Sequence, residues 1–583
     1  MTEETEALDH GPWPERAALL GALGILFGLI FWKLTQGHES WQWTNSPAQT
    51  AAATFIAVSG IVFAFSLERL RCVWAVAFAA ACGLTAALVG YWNGAPQDWG
   101  TDEGWQFAAS LIAVALAVPL FQAARDLGAA SFPPRAVHAH LWTNAIIWGV
   151  AGLFVGATVL LTFLLASLFD LIGIRLLRDA MEEGWFMWPL AGGAFGGAVG
   201  LLRDRDSVIA IAQRVVRAIL SVLAPALALG LVLFVVALPT TGLQPLWEKT
   251  KSTTPILLFC VLGAVILLNA VIGNAPEEEA KARILRWSAA ALAAVALPLA
   301  IVAAVSTGLR IGQYGYTPDR LWASVFILVA IGFAAAYFYA LIRTRARAGW
   351  PAQIRRLNVG LALGACGLAL FLALPILSFG ALSTRDQLSR LESGKVAPDR
   401  FDWAALRFDF GPAGRKALER LAASGAPALR GPARETLAAD SRWSVPFAES
   451  DLLHPMAAPP RPAPRLRTVP EGLAVPPALY ERIRGSGLCV AAECRLLFDT
   501  PARALLIGAQ CTDCPPDVQL FLRSAEGGWV PPPPPPPVVV TAQSPPLREG
   551  EPSPRVGGRL EVRTVAYRQL YIDGQPAGPV FAP

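Results

Sequence analysis

Residues 142–164 read WTNAIIWGVAGLFVGATVLLTFL, a stretch of twenty-three residues without an Asp, Glu, Lys or Arg. At 1.5 Å per residue such a helix is about 34 Å long, enough to cross the roughly 30 Å hydrocarbon core of a bilayer. Ten more stretches of this kind lie near 17–34, 48–67, 72–92, 105–124, 185–202, 216–238, 254–273, 287–308, 320–342 and 357–379. The sequence therefore predicts an all-α polytopic membrane domain of about eleven transmembrane helices.

The composition of the whole chain agrees with a membrane protein. Hydrophobic residues make up 54% of the 583 residues and charged residues only 16%, and the mean hydropathy is +0.46. A soluble domain carries about 25% charged residues. The net charge of +5 is spread over loops, without a dense basic patch that contains aromatic residues, so membrane lipids are expected partners and nucleic acid is not.

The composition changes along the chain and divides it into five regions. We predict a cytoplasmic tail at 1–15, the transmembrane domain at 16–380, an exported segment of short amphipathic helices at 381–441, a Pro-rich linker at 442–478, and a small β-rich, cysteine-containing domain at 479–583. Short helices are expected to begin at Gly411 and Gly431, because each is followed by a proline that suits a first helical turn. In the last region a polyproline run occupies 531–537, and strand-like runs occur at 519–522, 559–565 and 569–572.

The stretch that follows the quoted span is also apolar, but it contains charges. Residues 167–178 are predicted to form a separate amphipathic helix, with Phe169 and Leu176 facing lipid and Asp170 and Arg178 facing water.

Arg and Lys residues are distributed unevenly between the two sets of alternating loops. Seventeen lie in one set, counted with the N-terminus, and seven lie in the other. The positive-inside rule places the richer set in the cytoplasm. We therefore expect a multi-pass protein of the bacterial inner membrane. Its N-terminus would be cytoplasmic and, because the number of spans is odd, its C-terminal tail would be periplasmic.

The tail contains four cysteines at C-x4-C and C-x2-C spacing: Cys489, Cys494, Cys511 and Cys514. An oxidising exterior favours disulfides, which also stabilise a small domain with a thin core. The same spacing resembles a zinc site. We predict two disulfides without assigning their connectivity, and no metal.

The sequence contains no recognisable catalytic motif. It lacks H-E-x-x-H, a Walker-type loop and G-x-S-x-G, and no Asp, Glu or Lys lies near the centre of a span. The scarcity of ionisable groups within the membrane weakens the case for a proton-coupled transporter. Asn144, Asn269 and Asn358 lie in or at the edges of spans, and we interpret them as interhelical hydrogen-bond partners. Catalytic residues therefore stay unassigned, and no cofactor is predicted.

The most distinctive loop, residues 310–320, reads RIGQYGYTPDR and joins two predicted spans. Its polar and aromatic side chains are Arg310, Gln313, Tyr314, Tyr316, Asp319 and Arg320. Two cations with two phenols could bind an anionic headgroup or a phosphate. The alternative is a tight turn with Tyr anchors, in which Thr317 caps a helix that starts at Pro318.

This loop has two companions further along the chain, FDWAALRFD at 401–409 and the stretch 411–421. Together they resemble an uncharacterised bacterial family of multi-pass membrane proteins, catalogued as domain of unknown function 4153. The resemblance covers roughly residues 15–425 and leaves the linker and the cysteine-containing tail outside. Because that family has no established activity, the resemblance implies a membrane fold and no catalytic residue.

Three classes of function fit these features. The first, which we predict, is a non-enzymatic envelope anchor or interaction protein that presents an exported C-terminal domain to envelope proteins or glycans. The second is a transporter or flippase, supported by the number of spans. The third is a lipid-linked glycosyltransferase or other envelope transferase. Its candidate acids and bases would be His38, Glu39, Asp98, Asp102 and Glu103.

Overall fold

The structure is a computed structural model. It describes residues 13–35, 46–69, 71–242, 253–345, 349–424, 426–439, 441–442, 445, 466–470, 472–486, 494–508, 517–523, 529–530, 560–564, 568–572 and 575–581. The chain divides into two compact units, 1–453 and 454–583, which are described separately.

Eleven helices of the described residues are long and apolar enough to cross a membrane, which confirms the predicted polytopic fold. They are α1 (Glu15–Thr35), α2 (Pro47–Ser66), α3 (Cys72–Trp92), α4 (Thr101–Leu127), α5 (Pro134–Leu171), α7 (Gly184–Arg203), α8 (Asp206–Thr241), α9 (Thr253–Ile272), α10 (Arg283–Tyr314), α11 (Pro318–Arg343) and α12 (Trp350–Ala373). A short helix, α6 (Leu176–Glu182), lies between α5 and α7.

The predicted end of the last span and the predicted amphipathic helix are wrong. The last span was expected to reach residue 379, but α12 ends at Ala373, because Pro375 has no N–H to continue the helix. The amphipathic helix expected at 167–178 is not a separate element. Helix α5 continues to Leu171, and the chain then turns at Gly173, whose φ of +82° suits glycine.

The described apolar core of the membrane domain falls into two large clusters. One includes Leu20, Val62 and Ile147 and joins α1–α5 with α7. The other includes Leu292 and Ile354 and joins α8–α12. Smaller clusters between α4 and the last helices connect the two halves. The spans therefore form one domain built from two packed bundles.

Helices α1 and α7 cross with their backbones in contact. A Cβ atom on Gly24 would collide with the carbonyl of Gly192, and one on Gly28 would lie 2.5 Å from the carbonyl of Trp188. Small residues at a crossing allow this approach within a membrane. The glycines of α1 therefore allow it to pack closely against α7.

Glu68, in the α2–α3 loop, connects three helices on one side of the domain. It forms ion pairs with Arg16 of α1 and Arg203 of α7. Burial opposes ionisation, but the two guanidinium groups outweigh it and hold the pKa of Glu68 below its ordinary value. Arg203 also donates to the carbonyl of Phe65, near the end of α2. We call this the arginine-rich side, defined by the described loop residues 67–69, 71, 204–205, 273–282, 344–345 and 349.

Four short helices follow the last span: α13 (Phe379–Glu392), α14 (Trp403–Phe408), α15 (Gly411–Ala422) and α16 (Pro427–Ala438). We call them the cap, and the side of the membrane domain on which they lie the cap side. They share a core that includes Phe401, Leu406 and Leu418. Helix α15 begins at Gly411 as expected. The start expected at Gly431 is wrong, because α16 already begins at Pro427, where the missing N–H needs no helical partner.

The second unit contains α17 (Pro477–Ser486) and two sheets. The first sheet has the order β1 (Leu466–Val469), β2 (Cys494–Thr500), β3 (Arg503–Gly508), β4 (Asp517–Arg523), β5 (Trp529–Val530). The second has the order β6 (Leu560–Thr564), β7 (Arg568–Ile572), β8 (Gln575–Phe581). Pairing is antiparallel except between β1 and β2, where Leu466 lies opposite Cys494.

The folded part of the tail begins earlier than predicted. Strand β1 and the start of α17 lie within the predicted linker at 442–478, so that linker is shorter than its composition indicated. The core of this unit includes Leu479, Leu496 and Phe521. The polyproline run at 531–537 lies outside the described residues.

Candidate functional site

The predicted anion-binding loop is a tight turn between α10 and α11. Helix α10 ends at Tyr314, and Gly315 adopts a φ of +79°, a left-handed conformation that favours glycine. The side chain of Thr317 accepts a hydrogen bond from the N–H of Arg320 at 3.4 Å, and Pro318 is the first residue of α11. The local sequence therefore ends one helix and begins the next within three residues.

Side chains of α13 bind the backbone of this turn. Oδ2 of Asp386 accepts a hydrogen bond from the N–H of Tyr316 at 2.8 Å. The amide of Gln387 donates to the carbonyls of Tyr314 at 2.8 Å and Tyr316 at 3.0 Å. Backbone groups of the turn are thus bonded to side chains of the cap.

Arg390 completes the attachment of α13 to the turn. Its Nε lies 3.1 Å from Oδ2 of Asp386, and its Nη1 donates to the carbonyl of Gln313 at 3.2 Å. The Arg390 side chain is mostly buried, whereas Gln313 and Tyr316 are exposed. Arg390 therefore contacts the turn with a mostly buried side chain, whereas Gln313 and Tyr316 of the turn are exposed.

Two further cations, Arg310 and Arg320, lie beside the ring of Tyr314. Arg320 donates from Nη1 to the carbonyl of Gly315 at 2.9 Å, and its Cζ lies 5.4 Å from the centre of the Tyr314 ring. Arg310 is close enough to Arg320 for the two charges to repel each other. The Tyr314 hydroxyl is buried and has no hydrogen-bond partner among the described residues. Exposed Asp319 is a nearby carboxylate.

Of the residues that the sequence grouped as a site, the structure places Arg310, Tyr314 and Arg320 near one another. Two guanidinium groups and one phenol hydroxyl lie around the turn. Guanidinium groups bind phosphate and carboxylate with charge-assisted hydrogen bonds. The chemistry of these groups suits an anionic group, and binding of such a group stays a prediction.

A buried carboxylate fastens α4 to α11 and α13 on the cap side. Asp102 is only 1% exposed. Its Oδ1 accepts from Nε1 of Trp322 at 3.0 Å, and its Oδ2 accepts from the N–H of Gly380 at 2.9 Å and from the hydroxyl of Ser378 at 3.2 Å. Both carboxylate oxygens are thus occupied by structural donors.

Of the other residues proposed for a transferase, the structure describes Asp98 and Glu103, and both contact loops or the cap. Glu103 accepts the N–H of Gly100 at 2.9 Å and so caps α4. Asp98 is exposed and lies 3.7 Å from Arg415 of the cap. His38 and Glu39 lie outside the described residues. The described acids of this group therefore connect the membrane domain to the cap or shape its loops.

Arg442 and two carboxylates hold the end of the cap in place. Arg442 lies 3.3 Å from Asp402 and also forms an ion pair with Asp409. Burial raises the pKa of Asp409 to about 6, because desolvation outweighs the attraction of Arg442. The carbonyl of Asp409 accepts the N–H of Thr101 at 3.2 Å, which connects this cluster to α4.

A buried polar network joins α5, α9, α11 and α12 towards the arginine-rich side. Asn358 donates to Asn269 at 2.8 Å and accepts from the Tyr337 hydroxyl at 2.7 Å. Its Nδ2 also lies 3.1 Å from Nε2 of His138. The interhelical role expected for Asn269 and Asn358 is confirmed, as is that of Asn144, which donates to Gln122 at 2.7 Å. The roles of His138 and Tyr337 could not be predicted, because their partners lie on other helices.

The described cysteines fall into two groups. Four carry free thiols, namely Cys72, Cys82, Cys260 and Cys366, and Cys494 does not. Cys494 is buried at the start of β2. Cys489, Cys511 and Cys514 lie outside the described residues. In the part of the chain that the structure describes, no three His, Cys, Asp or Glu residues lie together as a metal site.

Comparison with known proteins identifies a family and no characterised relative. No curated protein and no solved structure is significantly similar to the chain. One family, described as Domain of unknown function (DUF4153), matches residues 52–421. The match runs from within α2 to within α15, so it includes the turn and most of the cap and excludes the tail. Since it spans more than half of the 583 residues, the chain belongs to the DUF4153 family, whose function is unknown.

Proposed function

We propose that this chain is a non-enzymatic anchor of the bacterial inner membrane, which holds its C-terminal domain on the periplasmic face for interaction with envelope proteins or glycans. One observation carries the proposal: the segment that leads from the last span to the tail is bonded to the membrane domain. Asp102 binds the first turn of α13 through Gly380, and Asp386 and Gln387 of α13 bind the α10–α11 turn. A rigid base of this kind suits a protein that positions a tail.

The orientation in this proposal rests on loop charge. Arg69, Arg203 and Arg345 are among the cations of the arginine-rich side, and the cap lies on the other side. The positive-inside rule then favours a cytoplasmic arginine-rich side and a periplasmic cap. On this orientation the turn with Arg310 and Arg320 faces the outer leaflet, where it would bind an anionic headgroup.

Two disulfides in the tail belong to the same proposal. A domain held in the periplasm meets an oxidising environment. Cys494 carries no free thiol, unlike the four cysteines of the membrane domain, and this difference supports a pairing with one of Cys489, Cys511 and Cys514.

Of the two other classes of function, a transporter or flippase has more support than a transferase. A transporter or flippase is the second candidate, because His138, Asn269, Tyr337 and Asn358 place polar groups inside the helical bundle. A transferase has less support, because Asp102 and Glu103 are occupied by structural hydrogen bonds.

An anchor exchange tests the proposal. In a strain that lacks the gene, residues 1–453 would be replaced by an unrelated single-span anchor that exports residues 454–583, and envelope integrity would be measured as resistance to vancomycin and bile salts. We expect the chimera to restore resistance and the tail-less chain 1–453 to fail. If the tail-less chain 1–453, present at the normal level, restores resistance as well as the full chain does, the tail is dispensable and the proposal is wrong.

A further inference from the structure

The two halves of the membrane domain contain the same order of five helices. Helices α1–α5 share one of the two large apolar clusters, and α8–α12 share the other. The first helix of each half begins on the arginine-rich side, so corresponding helices run in the same direction across the membrane. Four pairs of corresponding residues are separated by the same 217 positions, namely Asp102 and Asp319, Trp105 and Trp322, Pro134 and Pro351, and His138 and Arg355.

These residues occupy corresponding places in the helices. The Asp and the Trp are the second and fifth residues of the fourth helix of each half, α4 and α11. The Pro lies at the start of the fifth helix, α5 or α12, and the side chain four residues later is polar and buried in both. A loop of six residues connects the fourth and fifth helices in both halves. Shared hydropathy alone does not require such a match.

The halves also share contacts on the arginine-rich side. Glu68 follows the second helix of the first half and pairs with Arg16 of the first helix. Glu278 follows the second helix of the second half and pairs with Arg217 of the first helix. The carbonyl that ends the second helix also accepts a hydrogen bond from a buried arginine in both halves. The two bonds are Arg125 to Ser66 at 2.7 Å and Arg355 to Ile272 at 2.9 Å.

These matches indicate two copies of one five-helix unit in parallel topology, with α6 and α7 between them. We call the copies the first repeat and the second repeat. They pack against each other along α4 and α12, through apolar side chains that include Ala109, Val359 and Ala373. At the cap-side end, Trp105 and Trp322 stack with ring centres 6.0 Å apart. Packed helices of this kind can slide or pivot by small amounts.

The cap binds both repeats at corresponding loops. The α3–α4 loop and the α10–α11 turn each connect the third helix of a repeat to the fourth. Helix α13 of the cap binds the α10–α11 turn of the second repeat. In the first repeat, the N–H of Thr101 donates to the carbonyl of Asp409 at 3.2 Å, and Arg415 donates to the carbonyl of Asp98 at 3.0 Å. The cap therefore bridges the two repeats on one side of the membrane.

We propose that the cap is a strap, which holds the two repeats in one relative arrangement and whose release lets their cap-side ends separate about the α4–α12 contact. A rotation of about 10° over the roughly 30 Å hydrocarbon core displaces the cap-side ends by about 5 Å. The inference does not depend on the anchor function or on which side is periplasmic, because it rests on the repeats and on the cap contacts alone.

Distances between spin labels test the proposal on the full chain in nanodiscs. The unnatural residue p-acetylphenylalanine would replace Tyr91 of α3 and Gly308 of α10, the third helices of the two repeats, and would carry a ketone-reactive nitroxide that leaves the native cysteines unmodified. Tyr91 is 52% exposed, and a side chain at Gly308 meets open space. We expect one narrow distance distribution in the otherwise unchanged chain. Asp386→Ala with Gln387→Ala detaches α13 from the turn and should add a population that is longer by about 5 Å or more. Gln387→Ala alone should add a smaller fraction of the same population.

Two controls separate release of the strap from general effects. Arg385→Ala with Ser389→Ala alters the exposed face of α13 and should leave the distribution unchanged. Labels at Ala48 and Tyr91 both lie in the first repeat, and the distance between them should stay constant in every variant. A Tyr91–Gly308 distribution that is unchanged in both release variants would overturn the proposal. So would an Ala48–Tyr91 distance that changes as much as the Tyr91–Gly308 distance, because the repeats would then not move as bodies.

Discussion

Replacement of Asp102 by alanine is expected to weaken the attachment of the cap to the membrane domain. The change leaves two fixed buried donors without an acceptor, the indole N–H of Trp322 and the N–H of Gly380. Each such donor costs about 1–3 kcal/mol. The hydroxyl of Ser378 can rotate and adds less. We therefore expect Asp102→Ala to lower the free energy of unfolding by about 2–6 kcal/mol.

The chain offers a matched control four residues earlier. Asp98 has a side chain that is 58% exposed, and its one ion pair, with Arg415, spans 3.7 Å. An exposed pair of this kind contributes about 0–1 kcal/mol. Unfolding of both variants would be followed by tryptophan circular dichroism in mixed micelles, and hydrogen exchange would be measured at α13. Asp102→Ala should also speed exchange in α13. If the two variants lose stability equally and α13 stays protected, the reasoning about the buried carboxylate is refuted.

Three further predictions follow from the packing, the cap and the turn. Gly24→Ala should lower the free energy of unfolding by about 1–3 kcal/mol in the same assay, because the added Cβ forces α1 away from α7. Gly152 faces open space, so Gly152→Ala should change that free energy by less than about 0.5 kcal/mol. Equal losses in the two variants would contradict the close crossing. The folded pKa of Asp409, about 6, lies above its ordinary value, so the folded state binds the proton more tightly and stability should rise as pH falls from 7 towards 4. Asp409→Asn should remove that part of the pH dependence of the melting temperature, and an unchanged profile would show that Asp409 does not titrate in this range. Arg310→Ala should reduce the amount of co-purified anionic lipid roughly tenfold or more, in line with about 1.5–3 kcal/mol for a charge-assisted contact. Arg310→Lys should reduce that amount by less. If the amount of lipid is unchanged and the melting temperature falls, the loop is a structural turn and does not bind an anion.

The spans were predictable because each one carries its own signal. A run such as 142–164 is apolar over its whole length, and the bilayer requires helices wherever such runs cross it. The ends were harder to locate. Pro375 lies inside an apolar run, and only the helix geometry shows that α12 stops before it. Gly431 had the same local signal as Gly411, yet α16 starts earlier, at Pro427.

The residues of the candidate site could be predicted from the sequence, but the residues that hold the loop in place could not. Arg310, Tyr314 and Arg320 are close in the sequence, so the loop could be recognised as a group. The α13 residues that fix it, such as Gln387, lie about seventy positions away. The partners of Asp102 lie more than two hundred positions away. Such contacts depend on how the helices pack, which neither hydropathy nor spacing encodes.

The same limit explains why acids selected for catalysis have structural roles. Asp102 and Glu103 occur side by side before a predicted span, so the sequence places them in a loop, which is a common setting for a catalytic acid and base. In the fold, both carboxylates are buried, and each accepts a hydrogen bond from a backbone N–H group. The close crossing of α1 and α7 had no recognised signal in the sequence, because it depends on the absence of side chains at Gly24 and Gly192.

The central claim, that the arginine-rich side is cytoplasmic and the tail is exported, is tested most directly by paired reporter fusions. Alkaline phosphatase, which is active only outside the cytoplasm, and green fluorescent protein, which fluoresces only inside it when exported unfolded, would each be fused after Arg345 and after Pro583. Arg345 lies in a loop of the arginine-rich side, after ten of the eleven spans. We predict fluorescence without phosphatase activity at Arg345, and phosphatase activity without fluorescence at Pro583. Phosphatase activity at Arg345 with fluorescence at Pro583 would contradict the orientation and, with it, the proposed export of the tail.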